Sequence, residues 1–377
     1  SYDLARKLES LPEIAKDDLG WPEMGFLFFD EAVVVDHLRD EVWIIVLAHV
    51  AGRDPMVAYR QAVQRLEALE DRLKCSFPPS DWDRATPSVS SEPWVRSTST
   101  PSEFTAMVRR AKAYIAAGEI YQANLSQRLS MPLPDTPWRL YRKLTRINPS
   151  PFSAYADFGF LRIVGASPER FLRIQDKRVE TRPIAGTRPR GETPDEVARF
   201  RRELFLSEKE RAEHIMLVDL ERNDLGRICR FGSVEVNELM TLEEYSHVIH
   251  IVSNVRGILR DGVGLPEIIS ATFPGGTISG CPKIRSLQVI EELEPVRRHL
   301  YTGALGYLSY SGCLDFNLMI RTAFIADGWV HVQVGAGIVA DSDPDREYEE
   351  TLHKAKALLE AFEAAARSIP SHVPVAC

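Results

Sequence analysis

Long apolar runs are missing from this chain of 377 residues. A membrane-spanning helix needs about twenty consecutive apolar residues, so none is expected. The residues present show no signal-peptide pattern either. Cysteine is scarce: Cys75, Cys229, Cys281, Cys313 and Cys377 are scattered with no CxxC spacing. That spacing excludes a structural zinc site and points to a reducing, cytoplasmic compartment. Positive charge is not in excess: the formal net charge is -8 and the isoelectric point near 5.7, which argues against a nucleic-acid footprint. A local basic pocket for an acidic metabolite is not excluded. No GK[ST] follows the glycine-rich loop at Gly275-Gly276, so it is not a Walker A loop. A Gly-x-Cys-x-Gly elbow for glutamine hydrolysis, internal repeats and low-complexity tracts are also lacking. The opening Ser1-Tyr2-Asp3-Leu4 reads as the middle of a longer sequence, and a missing N-terminus is expected.

What remains is an ordinary globular composition, 44% hydrophobic and 27% charged, long enough to bury a large core or two. Residues 77–103, rich in Pro, Ser and Thr and without periodicity, read as a linker. The expected organisation is a partial N-terminal subdomain with its linker over 1–100, a main domain over 101–366, and a tail over 367–377. Helices are predicted at 56–73, at 103–117 with Ser102 as cap, at 137–147, and at 192–225 with a break near Ser207. Further helices are predicted at 266–271, at 282–293 and from Pro344 onward. Stretches 303–310, 314–325 and 330–334 read as consecutive strands of one sheet. Many strands with fewer long helices argue for α+β with antiparallel layers.

The C-terminal stretch 331–357 carries the densest chemistry. A β-branched run is expected to turn through Gly335-Ala336-Gly337 and enter a helix with Asp343 as N-cap and Pro344 in its first turn. Spacings of three and four place Glu347, Glu350 and Lys354 on one helical face. A second carboxylate pair, Glu210 and Glu213, has the same spacing. Two such pairs can share a hard divalent cation such as Mg2+, and oxygen-only ligands fit Mg2+ better than zinc. Two ordinary solvated helix faces would carry the same pattern.

The loop at Gly275-Gly276-Thr277 offers backbone N–H groups to an anion, or is simply a turn. His250, with His247 nearby, suits proton transfer or a hydrogen-bonded core position. Arg321 lies in an apolar run, where a charge needs an anionic ligand or an internal ion pair. Glu169 follows a strand end and could serve as a general acid.

Together these stretches resemble the chorismate-utilising enzymes: anthranilate synthase component I, aminodeoxychorismate synthase component I, and the isochorismate and salicylate synthases. The resemblance runs from about Glu103 to Leu359. It is carried by SPERF, RPIAGTRPRG, EKERAEHIMLVDLERNDLGR, SHVIHIVS, FPGGTISGCPKIR, LYTGALGYL, DFNLMIRT and VGAGIVADSDPDREYEETLHKAKA. It implies a two-layer α/β sandwich with long antiparallel sheets. It also implies Mg2+ surrounded by Glu210, Glu213, Glu347 and Glu350, clamping a chorismate ring carboxylate. Gly335, Ala336, Gly337 and Lys354 would bind that carboxylate, and Tyr301 and Arg321 the enolpyruvyl carboxylate. Thr187, His250, Gly276 and Thr277 would lie along the substrate. Glu169 would protonate the departing C4 hydroxyl, which matters because hydroxide is a poor leaving group.

Gln122 sorts the branches of this resemblance. Enzymes that add water at C2 carry a lysine base here, and ammonia users carry glutamine. An ammonia user implies a separate glutamine amidotransferase partner. Many aminodeoxychorismate synthases carry a lysine in the PIxGT motif, proposed as a nucleophile at C2. Here that residue is Ala185, as in anthranilate synthases. Pro151-Phe152-Ser153-Ala154-Tyr155 and Glu221 resemble the aminodeoxychorismate branch, to which the reading leans. Anthranilate synthesis is the alternative, and a non-catalytic chorismate-binding module is the alternative of another class.

Overall fold

The computed structural model describes residues 1–75, 95–191, 193–244 and 248–367. Most of the expected linker, His247 and nearly all of the tail lie outside the described residues. The chain forms two compact units, Gly25–Ala85 and the remainder, Ser1–Met24 with Thr86–Cys377. The composition places the division near residue 100, whereas residues 1–24, with the short helix α1 (Ala5–Leu8), belong to the larger unit.

In the smaller unit β1 (Glu31–Asp36) and β2 (Glu41–Val46) form an antiparallel hairpin. Asp36 closes the turn by accepting the N–H groups of Leu38 and Arg39 at 3.0 and 3.1 Å. Helix α2 (Pro55–Lys74) follows, capped by the Asp54 carboxylate, which accepts the Met56 N–H.

The larger unit continues with β3 (Arg96–Ser97) and α3 (Pro101–Ala116). The cap of α3 is Thr100 rather than the expected Ser102: the Thr100 hydroxyl accepts the Glu103 N–H while Glu103 accepts the Thr100 N–H, a reciprocal capping box. Then come β4 (Gln122–Pro132), α4 (Pro137–Ile147), β5 (Phe152–Asp157), β6 (Arg162–Ser167), β7 (Arg170–Gln175), β8 (Arg178–Thr181) and β9 (Ile184–Pro189). Helices α5 (Pro194–Leu206) and α6 (Glu208–Gly226) are separated at Ser207, whose hydroxyl caps α6 through the Glu210 N–H. β10 (Glu235–Glu244), β11 (Val248–Ile258), α7 (Leu265–Thr272), β12 (Gly280–Cys281) and α8 (Lys283–Leu293) lead to the last four strands. These are β13 (Ala304–Leu308), β14 (Leu314–Leu318), β15 (Thr322–Ala326) and β16 (Trp329–Ile338), followed by α9 (Pro344–Arg367).

Two large antiparallel sheets result, as α+β patterning predicts. One runs β10-β11-β8-β7-β14-β13, with β9 also on β11; the other runs β12-β4-β16-β15-β6-β5, with β3 on β4. Apolar residues of α6 and α7, among them Val218, Leu225, Ile268 and Ala271, pack on Phe171, Leu172, Val255 and Leu318 of the first sheet. Leu140 and Leu144 of α4 and Leu358 and Phe362 of α9 pack on Val164, Ala323 and Val332 of the second. Burying such side chains contributes about 1.5–3 kcal/mol each.

Two sequence expectations change. The stretch 303–334 does not form one sheet: β13 and β14 belong to the first, β15 and β16 to the second. The chain crosses between sheets at Arg321, which has a positive φ of 49°. The run from Leu318 to Ile325, apolar but for Arg321 and Thr322, hides that break, because both sheets bury their strands there. Nor does the chain turn at Gly335-Ala336-Gly337; β16 runs through all three, opposite Ser126, Leu125 and Asn124 of β4.

Candidate active site

The ends of several strands and the facing turns of α6 and α9 place most of the candidate residues around one region. Glu169 lies in the turn between β6 and β7, held to β14 where the Leu318 N–H donates to its carbonyl at 3.1 Å. Its carboxyl is buried and receives the Ile184 N–H at 3.5 Å, a long contact. Burial pushes the carboxyl up to about 8, with the nearby Glu221 adding to the rise; Thr277, the Ile184 N–H and Arg321 oppose it. The Thr277 hydroxyl stands beside Glu169 without completing a well-formed hydrogen bond to any protein group. At neutral pH Glu169 is therefore a protonated acid, able to donate.

Arg321, at the crossover between sheets, is lowered by burial and raised again by Glu169. Among the described residues no ion pair is formed by its guanidinium, so an anionic ligand rather than an internal salt bridge is the reading the geometry favours. His250 on β11 sits opposite Thr187 of β9, and the Thr187 hydroxyl is 3.0 Å from its Nδ1. Burial, with the Arg321 charge, brings the imidazole down to about 4, so it is neutral. Its Nδ1 is also 3.3 Å from the Gly186 carbonyl, beside the Glu210 carboxylate.

On the second sheet, the Gln122 amide donates to Glu213 Oε1 at 2.5 Å. Gly337 abuts this pair: a Cβ there would stand 2.7 Å from Gln122 Nε2 and 3.4 Å from Glu213 Oε1. Gly335 is equally confined, by the Asn124 Oδ1 and the Tyr301 hydroxyl, at 2.6 and 2.9 Å from such a Cβ. Glycine is required at both positions because the protein's own groups pack this closely against the backbone. Ala336 points the other way, into the core with Phe104 and Ala123, so it contributes backbone alone. Lys354 donates to the Gly335 carbonyl at 3.0 Å and pairs with Glu350 at 2.7 Å. Asp343 caps α9 as predicted, accepting the Asp345 and Arg346 N–H groups.

The four candidate metal ligands lie within electrostatic reach of one another. Burial raises Glu213, and the charges of Glu210 and Glu350 raise it further. Glu347 is raised by burial and by Glu350. Arg188 meets Glu210 at 3.2 Å. Among the described residues, no three His, Cys, Asp or Glu side chains converge closely enough to hold an ion as they stand. Lys354 and Arg188 each pair with one member of this acidic group, Glu350 and Glu210.

One expectation fails. The Gly276 N–H is not free for an anion: it donates to the buried Glu221 carboxylate at 3.1 Å. The glycines form a short 3-10 turn, Gly276–Ile278, and the expected helix follows as α8 from Lys283. Asn124 was missed by motif reading. Its Oδ1 is buried without a partner beside Gly335, and an asparagine inside a buried strand was the available signal.

Comparison with known proteins identifies the family. The family described as chorismate binding enzyme matches residues 1–360. The chain is 47% identical to anthranilate synthase component 1 of Acetivibrio thermocellus, over 97% of this chain and 74% of that protein. It is 45% identical to aminodeoxychorismate synthase component 1 of Bacillus subtilis, over 96% of this chain and 76% of that protein. In structure it is similar to anthranilate synthase component I from Streptococcus pneumoniae, with a TM-score of 0.84 and 36% identity, covering 95% of this chain and 78% of that one. The chain belongs to the chorismate binding enzyme family, and is a chorismate-utilising synthase.

Proposed function

We propose that this synthase replaces the C4 hydroxyl of chorismate with ammonia, giving 4-amino-4-deoxychorismate, and that a separate glutamine amidotransferase subunit supplies the ammonia. The observation that carries the reading is Glu169, a buried acid raised to about 8 that faces Arg321 and Thr277. A carboxyl still protonated at neutral pH can deliver its proton to a leaving hydroxyl, which departs as water. Arg321 and Tyr301 would hold the enolpyruvyl carboxylate; Lys354 and the backbone at Gly335 and Gly337 would receive the ring carboxylate. Glu210, Glu213, Glu347 and Glu350 would hold Mg2+, which when bound supplies a clamp for a substrate carboxylate.

Gln122 supports ammonia over water as the nucleophile. A neutral amide bound to Glu213 cannot remove a proton from water, and ammonia needs no such base. His250, brought down to about 4, is a weak acceptor for the ring proton whose loss would expel pyruvate. That supports a product that keeps its enolpyruvyl group. The second reading, anthranilate synthesis, is favoured by Ala185, whose methyl group cannot form a covalent adduct at C2.

The test is incubation of the protein with chorismate, Mg2+ and an ammonium salt at mildly alkaline pH, with and without aminodeoxychorismate lyase. 4-Aminobenzoate appearing only with the lyase is the expected result. Anthranilate formed without the lyase would replace this reading with the second, and no loss of chorismate would favour a non-catalytic module.

A further inference from the structure

Behind Glu169 lies a second buried carboxylate that the proposed chemistry does not use. Glu221, on the face of α6 turned toward the Gly275–Ser279 loop, is 6% exposed. Its Oε1 accepts the Gly276 N–H at 3.1 Å, one residue before Thr277. The approach is tight: a Cβ on Gly276 would stand 2.7 Å from Leu220 Cδ2 and 3.1 Å from the same Glu221 oxygen. Glycine is required where helix and loop come this close.

One turn along α6, Asp224 is paired with Lys283 at the start of α8. Lys283 also donates to the Thr272 carbonyl at 3.1 Å, where α7 ends. Helices α6, α7 and α8 and the loop between them are thus tied at two buried points, one carboxylate each. The sequence shows only a charged helix end at 219–224, for which a structural network is the ordinary reading. A structural role alone, however, does not call for a carboxylate beside Glu169, where like charge is costly.

We propose that Glu221 is a positioning residue for the reaction: through the Gly276 N–H it fixes the loop that carries Thr277 against the substrate. This rests on the reading of Thr277 as lying along the substrate.

The groups that face this pair come from every element around it. Burial raises Glu221, and Lys283 of α8 and the Gly276 N–H oppose that rise. Asp224 of α6 adds negative charge at Lys283 and is itself pushed up to about 7 by burial. The Thr181 hydroxyl of β8 lies against Glu221, with its proton directed to the Phe171 carbonyl at 2.9 Å. Arg321 and the Ile184 N–H act on Glu169 in the opposite sense.

Glu221→Gln and Glu221→Leu separate the anchor from the charge. Glutamine keeps a carbonyl for the Gly276 N–H and removes the charge; leucine removes both. The measurements are thermal melting and KM for chorismate, each beside the wild-type protein. For Glu221→Gln the expected result is a KM within about twofold of wild type, because the amide carbonyl still accepts the Gly276 N–H. For Glu221→Leu a KM raised about fivefold or more is expected, from loss of the loop anchor. A KM raised as far in the glutamine variant as in the leucine variant, or an unchanged KM in the leucine variant, would overturn the proposal. So would loss of the folded state in both variants, which would assign Glu221 to stability. A wild-type protein that leaves chorismate intact would instead overturn the proposed function itself.

Discussion

Glu169 shows how little chemistry is written in a residue's type. The same carboxylic acid on a solvated helix would be ionised at neutral pH; in the turn after β6, burial raises it to about 8. The sign of its pH dependence follows. A general acid works only while protonated, so kcat is expected to be full below about 8 and to fall as pH rises through that value, which a pH–rate profile checks. Glu169→Gln removes the proton, and kcat should drop by about a hundredfold or more while chorismate binding, followed by fluorescence titration, persists. Gln122→Lys places an ammonium beside Glu213 and should admit some water chemistry at C2; complete absence of isochorismate would count against this account of Gln122. At this scale the sequence was informative wherever a residue belonged to a dense motif, as for Glu169, Arg321 and the two glutamate pairs. It was silent on Asn124 and on the bond from Gly276 to Glu221, because both depend on which strand or loop lies opposite, and that is set by tertiary packing.

At the scale of elements, the pairing of β4 with β16 does most of the positioning. It sets Gly337 opposite Asn124 and Gly335 opposite Ser126, so both glycines lie across from polar residues of the neighbouring strand. Two glycine substitutions should behave differently. In Gly337→Ala the new methyl meets the end of the Gln122 side chain at 2.7 Å, which can move. Activity should fall at least about tenfold, with a melting temperature changed by no more than a few degrees. In Gly280→Ala the methyl would meet the Gln122 backbone carbonyl at 2.2 Å, and φ is 144°. Neither backbone can yield cheaply, so stability should fall by about 1–3 kcal/mol, measured by denaturant unfolding. Helices at 101–116 and 137–147, the break at Ser207 and the Asp343 cap were legible from periodicity and capping residues. The division of residues 303–334 between two sheets was not. Its local signs are the charge of Arg321 within an apolar run and the positive φ of that residue, a backbone property that the sequence does not display.

At the scale of the whole molecule, the two antiparallel sheets and their covering helices bring acidic residues of α6 and α9 into mutual repulsion near the glycines of β16. Such a cluster should take up a divalent cation, and chorismate turnover should vanish with chelation and return with Mg2+. Glu350→Gln removes one ligand and should raise the Mg2+ concentration needed for half-maximal rate by about tenfold. Unchanged rates at low Mg2+ would sink the metal assignment. The central claim is amination of chorismate with its enolpyruvyl group retained. The most direct measurement is mass spectrometry of the reaction products formed from chorismate, Mg2+ and isotopically labelled ammonium. The account predicts a single labelled product that still carries the enolpyruvyl group, with no pyruvate released. Labelled anthranilate with an equal amount of pyruvate would contradict it.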